Sequence, residues 1–169
     1  MSIRLSFSLL LIVGIVGCNQ ANQDQAAKGG SGKPAAEGKG DYNPHDVPIT
    51  EEQKAELQKE TAKFHDAVAK LKELRNATEA ETKNGIPQNP FKAHQALDKA
   101  DLLLQWLPGI ARSSGIPMEQ LELVTTRAND LRTLFEQVHQ NIDNKRDPNF
   151  VSVATEIDQK IGQLGKVSK

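Results

Sequence analysis

One cysteine, one tryptophan and one tyrosine occur among 169 residues, and aromatic side chains make up only 4% of the chain. A single cysteine, Cys18, excludes an intramolecular disulfide and a cysteine-based zinc site. The shortage of aromatics argues against an all-β sandwich or barrel, which draws on aromatic and β-branched side chains. Net charge is missing as well: 21 Lys and Arg stand against 22 Asp and Glu, leaving −1. No strong field therefore points to nucleic acid. What is present after residue 50 is a mixture of Ala, Leu, Gln, Glu and Lys, all good helix formers.

The cysteine closes the first apolar stretch. Arg4 precedes a run from Leu5 to Val16 that is interrupted by Ser6, Ser8 and Gly14. A basic start and an apolar core too short to span a bilayer, which takes about 20 residues, read as an export signal over residues 1–17. The run ends Ile15-Val16-Gly17-Cys18. This resembles the lipobox of bacterial lipoproteins: an aliphatic residue, two small or aliphatic residues, then cysteine. The resemblance covers residues 1–18 only. It implies transfer of diacylglycerol to the Cys18 thiol, cleavage before Cys18, and acylation of the new amino group, commonly with palmitate. Several acyl chains anchor a protein stably where one does not. Asn19 is not the Asp that retains enterobacterial lipoproteins in the inner membrane. The resemblance therefore favours the outer membrane, with the remainder periplasmic or extracellular.

Residues 18–48 hold the lipidated position and a stretch rich in Gly, Ala, Gln and Lys, with almost no large apolar side chains. Such a segment cannot bury enough surface to offset its ordering entropy, so it reads as a disordered tether spanning roughly 30 Å. Its mixed charges do not form a polybasic lipid-binding arm.

Residues 49–165 carry the folded domain, followed by a tail at 166–169. Thr50-Glu51-Glu52-Gln53 fits a capping box that opens a long first helix, 50–84. Gly85-Ile86-Pro87 stops it, and Asn89-Pro90 opens a second at about 90–114, kinked at Pro108. Gly115-Ile116-Pro117 repeats the stop, a third helix runs 117–144, and Asp147-Pro148 opens a fourth over 148–165. Each has an apolar stripe at helical spacing. The stripes are Leu57, Phe64, Val68, Leu71 and Leu74; Leu97, Ala100, Leu103, Leu104 and Leu107; Leu121 to Ile142 through Val124, Ala128, Leu131, Phe135 and Val138; and Phe150, Val153, Ala154, Ile157, Ile161 and Leu164. The expectation is all-α: an antiparallel up-down four-helix bundle. The polar "NATEAETKN" end of the first helix is expected to overhang.

Catalytic constellations are scarce. Ser113-Ser114 has no His or Lys nearby in sequence, there is no G-x-S-x-G turn, and lipidation would remove the one thiol. No enzyme activity and no cofactor are expected. Small exported bundles resemble cytochromes of the b562 and c′ kinds in architecture, but C-x-x-C-H is absent and the fourth helix has no His. Of the four histidines, His45 falls in the linker and His65 lies over about 100° from its stripe. His139 sits at a stripe edge, roughly 70° from the centre, and Glu136-x-x-His139 is only one copy of a di-iron motif that needs two. His94, Asp98 and Asp101 share the polar side of the second helix and form the candidate metal-binding group. Trp106, about 100° off its stripe beside Pro108, is the candidate partner surface. An unidentified protein partner and the membrane, through Cys18, are the partners these features allow.

Overall fold

A computed structural model describes residues 48–168. Residues 1–47, which include the predicted export segment, Cys18, His45 and most of the predicted tether, lie outside the described residues. Among the described residues all regular structure is helical: α1 Glu51–Glu60, α2 Phe64–Thr82, α3 Phe91–Ser113, α4 Met118–Asp143 and α5 Phe150–Leu164. None is long and apolar enough to cross a membrane.

Five helices stand where the sequence predicts four, because the long first helix is broken at Thr61–Lys63. Thr50 does form the capping box, its hydroxyl accepting from the Gln53 N–H and the Gln53 side chain accepting from Thr50 N–H. Ten residues later α1 ends as Thr61 turns its N–H and its hydroxyl onto the same carbonyl, Leu57 O, at 3.0 and 2.6 Å. The new helix then takes its first cap from elsewhere in the chain: Ser114 Oγ accepts from the Phe64 N–H at 2.9 Å. That bond places the Phe64 ring, 1% exposed, in the core. Replacing Ser114 with alanine removes this borrowed cap. The expected loss is about 1 kcal/mol in denaturant unfolding; a change indistinguishable from zero would show that water replaces the hydroxyl.

The polar C-terminal stretch of the predicted first helix does not overhang. Thr78 and Thr82 are buried, with their hydroxyls bonded back to Leu74 O and Thr78 O at 2.9 and 2.7 Å. A threonine whose hydroxyl is satisfied within its own helix presents its methyl group to neighbours, so this end packs despite its composition. The loosely held piece is α1, which buries only Leu57 and is tied to α2 by Glu60–Lys70 at 2.8 Å. That pairing holds the Glu60 carboxyl below its usual range and raises Lys70.

The remaining boundaries follow the sequence signals closely. Asn89 Oδ1 accepts from the Phe91 N–H at 3.1 Å, as a cap before Pro90. α3 continues through Pro108 to Ser113. The Gly115 stop is a full Schellman motif: Gly115, at φ 78°, donates to Arg112 O, and Ile116 donates to Ala111 O. Asp147-Pro148 does not open the last helix directly. Asp147 Oδ1 instead accepts from Asn149 N–H, Asn149 takes a left-handed conformation, and α5 begins at Phe150.

Every stripe residue read from the sequence is buried except Ala154, which is half-buried against the core. α3 packs along both α2 and α4, α5 packs on both α4 and α2, and α1 touches α2. Ion pairs stitch these seams. Arg132 meets Asp101 between α4 and α3 at 2.7 Å. Lys160 meets Asp130 between α5 and α4 at 3.0 Å, with Arg127 on the same carboxylate, which is thereby held low while Lys160 is raised.

Candidate functional site

α3 and α4 are joined by the short Ser114–Pro117 loop, so residues near the start of α3 face residues near the end of α4. At that far end lie two histidines. His94, one turn into α3, is 2% exposed. His139, one turn before the end of α4, is half-buried. Their rings meet edge to face with centroids 4.7 Å apart, and His94 Nδ1 lies 2.7 Å from His139 Nε2, a short hydrogen bond between imidazoles.

Carboxylates stand at both ends of this pair. Asp143, one turn beyond His139 on α4, places Oδ1 3.4 Å from His94 Nε2 and 3.8 Å from His139 Nε2. Asp98, one turn beyond His94 on α3, places Oδ1 4.0 Å from His139 Nδ1. The order is therefore Asp98, His139, His94, Asp143. Two imidazoles flanked by two carboxylates bring four groups that attract a proton or a cation to one point between α3 and α4. Among the described residues, His94, His139 and Asp143 form the one set of three such side chains whose ligand-type atoms all lie within 4.8 Å of one another.

The sequence grouping of His94, Asp98 and Asp101 is thus redrawn. His94 belongs to the cluster but points inward, not along a solvated face. Asp98 borders it through His139. Asp101 is held elsewhere, accepting from Arg132 Nε at 2.7 Å and Gln105 Nε2 at 2.6 Å. A wheel with a single stripe misplaces His94 because α3 has helices on two sides, so its buried arc takes in Ala93, His94, Ala96 and Leu97 together. Asp143 stands outside the grouping that the sequence suggests, although its i, i+4 spacing from His139 places the two on one helix face.

The other candidates separate from this site. His65 is exposed, with its ring edge on Phe64. Glu136 is exposed and accepts from Gln140. Ser113 donates to Ile110 O, and Ser114 is the cap of α2. Trp106 is half-buried against the core. Its indole lines a cleft of about 400 Å³ at the α1–α2 break, with Gln58, Thr61, Ala62, Gly109 and Ile110 around it.

No protein-family model matches the chain, and no curated protein or solved structure matches it either. The site must be read from its own atoms.

Proposed function

We propose that this chain is an exported lipoprotein, anchored to a bacterial envelope membrane through Cys18 and working by binding rather than catalysis. The observation that carries the reading is the sequence Ile15-Val16-Gly17-Cys18 at the end of a short apolar run that follows Arg4. On this reading residues 1–17 are removed and residues 18–48 are the tether. Helices α2 to α5 form an antiparallel up-down four-helix bundle with α1 laid on its side. The closed circuit of packing from α2 through α3, α4 and α5 back to α2 supports the bundle. Asn19 favours the outer membrane as the destination. The half-buried Trp106 and its cleft are the surface we assign to a protein partner.

The test is fractionation of a bacterial host expressing the wild-type chain and Cys18→Ser. Wild type is expected in the membrane fraction, released by detergent and not by high salt, with mass spectrometry placing an acylated Cys18 at the mature N-terminus. Cys18→Ser is expected to keep residues 1–17 and carry no acyl group. A wild-type chain that leaves the membrane in salt, or one cleaved elsewhere without acylation, overturns the anchor. A second reading, a metal-binding bundle, is favoured by one specific observation: the convergence of His94, His139 and Asp143.

A further inference from the structure

We infer that His94, His139 and Asp143 are the ligands of a divalent transition-metal ion, with Asp98 as the carboxylate that orients His139. The inference rests on the second reading above and names its ion class and ligands. It does not depend on lipidation.

Geometry comes first. An ion bound tetrahedrally at 2.0–2.2 Å from nitrogen and oxygen holds its ligand atoms about 3.3 Å apart. Asp143 Oδ1 already stands 3.4 Å from His94 Nε2 and 3.8 Å from His139 Nε2. Those two distances need adjustments of a few tenths of an ångström; the two imidazole donors, within 4.8 Å of each other and of the carboxylate, close up by rotation of the rings out of their mutual hydrogen bond. Metal coordination replaces the contact between His94 Nδ1 and His139 Nε2 with a stronger one to the ion.

Ligand chemistry sets the class. Two imidazoles and one carboxylate suit Zn2+, Ni2+ or Cu2+. Mg2+ and Ca2+ prefer all-oxygen sites, and Cu(I) prefers thiolate or thioether. Two carboxylates, Asp143 and Asp98, balance a charge of +2. Asp98 also supplies what metal-bound histidines regularly have, an acceptor at the other ring nitrogen that fixes tautomer and ring angle. His139 Nδ1 faces Asp98 Oδ1 at 4.0 Å, and closing that gap makes the hydrogen bond.

Burial sets access. The His94 side chain is 3% exposed, His139 18% and Asp143 29%. The group is therefore anchored in the core on the α3 side and open on the Asp143 side. Three protein ligands leave a fourth position facing outward, for water or for a donor atom of a small ligand.

A purely structural pair is the competing explanation. An interhelical hydrogen bond needs one donor and one acceptor, and burying an imidazole costs free energy that an apolar side chain at position 94 avoids. Four ionisable side chains drawn from two helices to one point exceed that need.

The experiment titrates Zn2+ into the full-length chain, purified in detergent and stripped of metal, with Mg2+ and Ca2+ as comparisons. Calorimetry is expected to show one equivalent of tightly bound Zn2+ and no comparable site for Mg2+ or Ca2+. Asp143→Asn and His139→Asn are each expected to weaken zinc binding by at least about tenfold. Glu136→Gln and His65→Asn are expected to leave it unchanged. Co2+ in place of Zn2+ is expected to give the visible absorption of a four-coordinate site, lost in Asp143→Asn. Should His139→Asn fail to fold, Asp143→Asn decides, because its side chain lies at the surface. Absent zinc binding overturns the inference. So does binding equal in wild type and Asp143→Asn, which assigns the ion to other donors such as His45. Ca2+ bound as tightly as Zn2+ overturns the ion class. Cys18→Ser is expected to bind zinc like wild type, so loss of the anchor and loss of the ion are read apart.

Discussion

Phe64→Ala is expected to lower the free energy of unfolding by about 3–5 kcal/mol, the range for a buried phenylalanine truncated in a packed core. Phe64 is 1% exposed and is the first residue of α2. Its ring enters the core at the point where the chain leaves α1, and Ser114 Oγ on its backbone N–H fixes the direction of entry. A domain stable by about 5–15 kcal/mol loses about a fifth or more of that to this one truncation. Phe64→Leu keeps most of the volume and is expected to cost under about 1.5 kcal/mol. Urea unfolding followed by circular dichroism gives both values. A Phe64→Ala cost below about 1 kcal/mol would mean that the junction is loose and the ring is not a core member. Because Ser114→Ala acts on the same residue, the two changes are expected to be non-additive in a double-mutant cycle.

Arg75→Ala is the second large effect, expected at about 2–3 kcal/mol, and its interest lies in what causes the loss. The Arg75 side chain is 11% exposed, yet its partners Glu79 and Asp158 are 44% and 56% exposed. Nη2 donates to Asp158 Oδ2 at 2.9 Å, Nε lies 2.8 Å from Oδ1, and Nη1 donates to Glu79 Oε2. The guanidinium also sits over the Phe150 ring, 5.2 Å from its centroid. Ion pairs with such exposed partners contribute at most about 1 kcal/mol each. Cation–π contact adds about 0.5–2 kcal/mol. The methylene stem, covering the α2–α5 seam, adds about 0.8 kcal/mol for each buried CH2. Stem packing and the cation–π contact together therefore outweigh the two exposed ion pairs. Arg75→Met keeps the stem but loses both the ion pairs and the cation–π contact, so it is expected to cost less than Arg75→Ala by the stem packing alone, about 1–2 kcal/mol. Equal losses for the two variants would reverse that assignment and make the charge dominant.

The apolar stripes were legible because each reports a purely local rule, the 100° step of a helix. The same holds for the Thr50 capping box, the Asn89 cap and the Gly115 stop, whose partners lie within five residues. What was not legible depended on distant partners. No residue near Thr61 announces the break, since the cap that restarts the helix comes from Ser114, 50 residues away. The placement of His94 failed for a related reason. Helix periodicity locates a face but does not count the neighbours, and α3 has two. His139 came closest to being read correctly, at the edge of its stripe, which is where it sits: half-buried and turned toward α3. Its partner Asp143 lies one turn further along α4, at the i, i+4 spacing that puts two side chains on one helix face.

The hairpin of α3 and α4 is expected to form from its loop outward. Its loop is tight and local, closed by Gly115 and Ile116. The histidine contact at its open end joins residues 45 apart in sequence. A zipper that starts at the loop reaches that contact last, after both helices have aligned along their whole length. Interactions that form after the folding barrier leave the folding rate alone and act on the rate of escape from the native state. The two imidazoles are thus a latch on the far end of the hairpin: whatever strengthens their hold, a hydrogen bond or an ion, lengthens the lifetime of the folded chain more than it speeds its making.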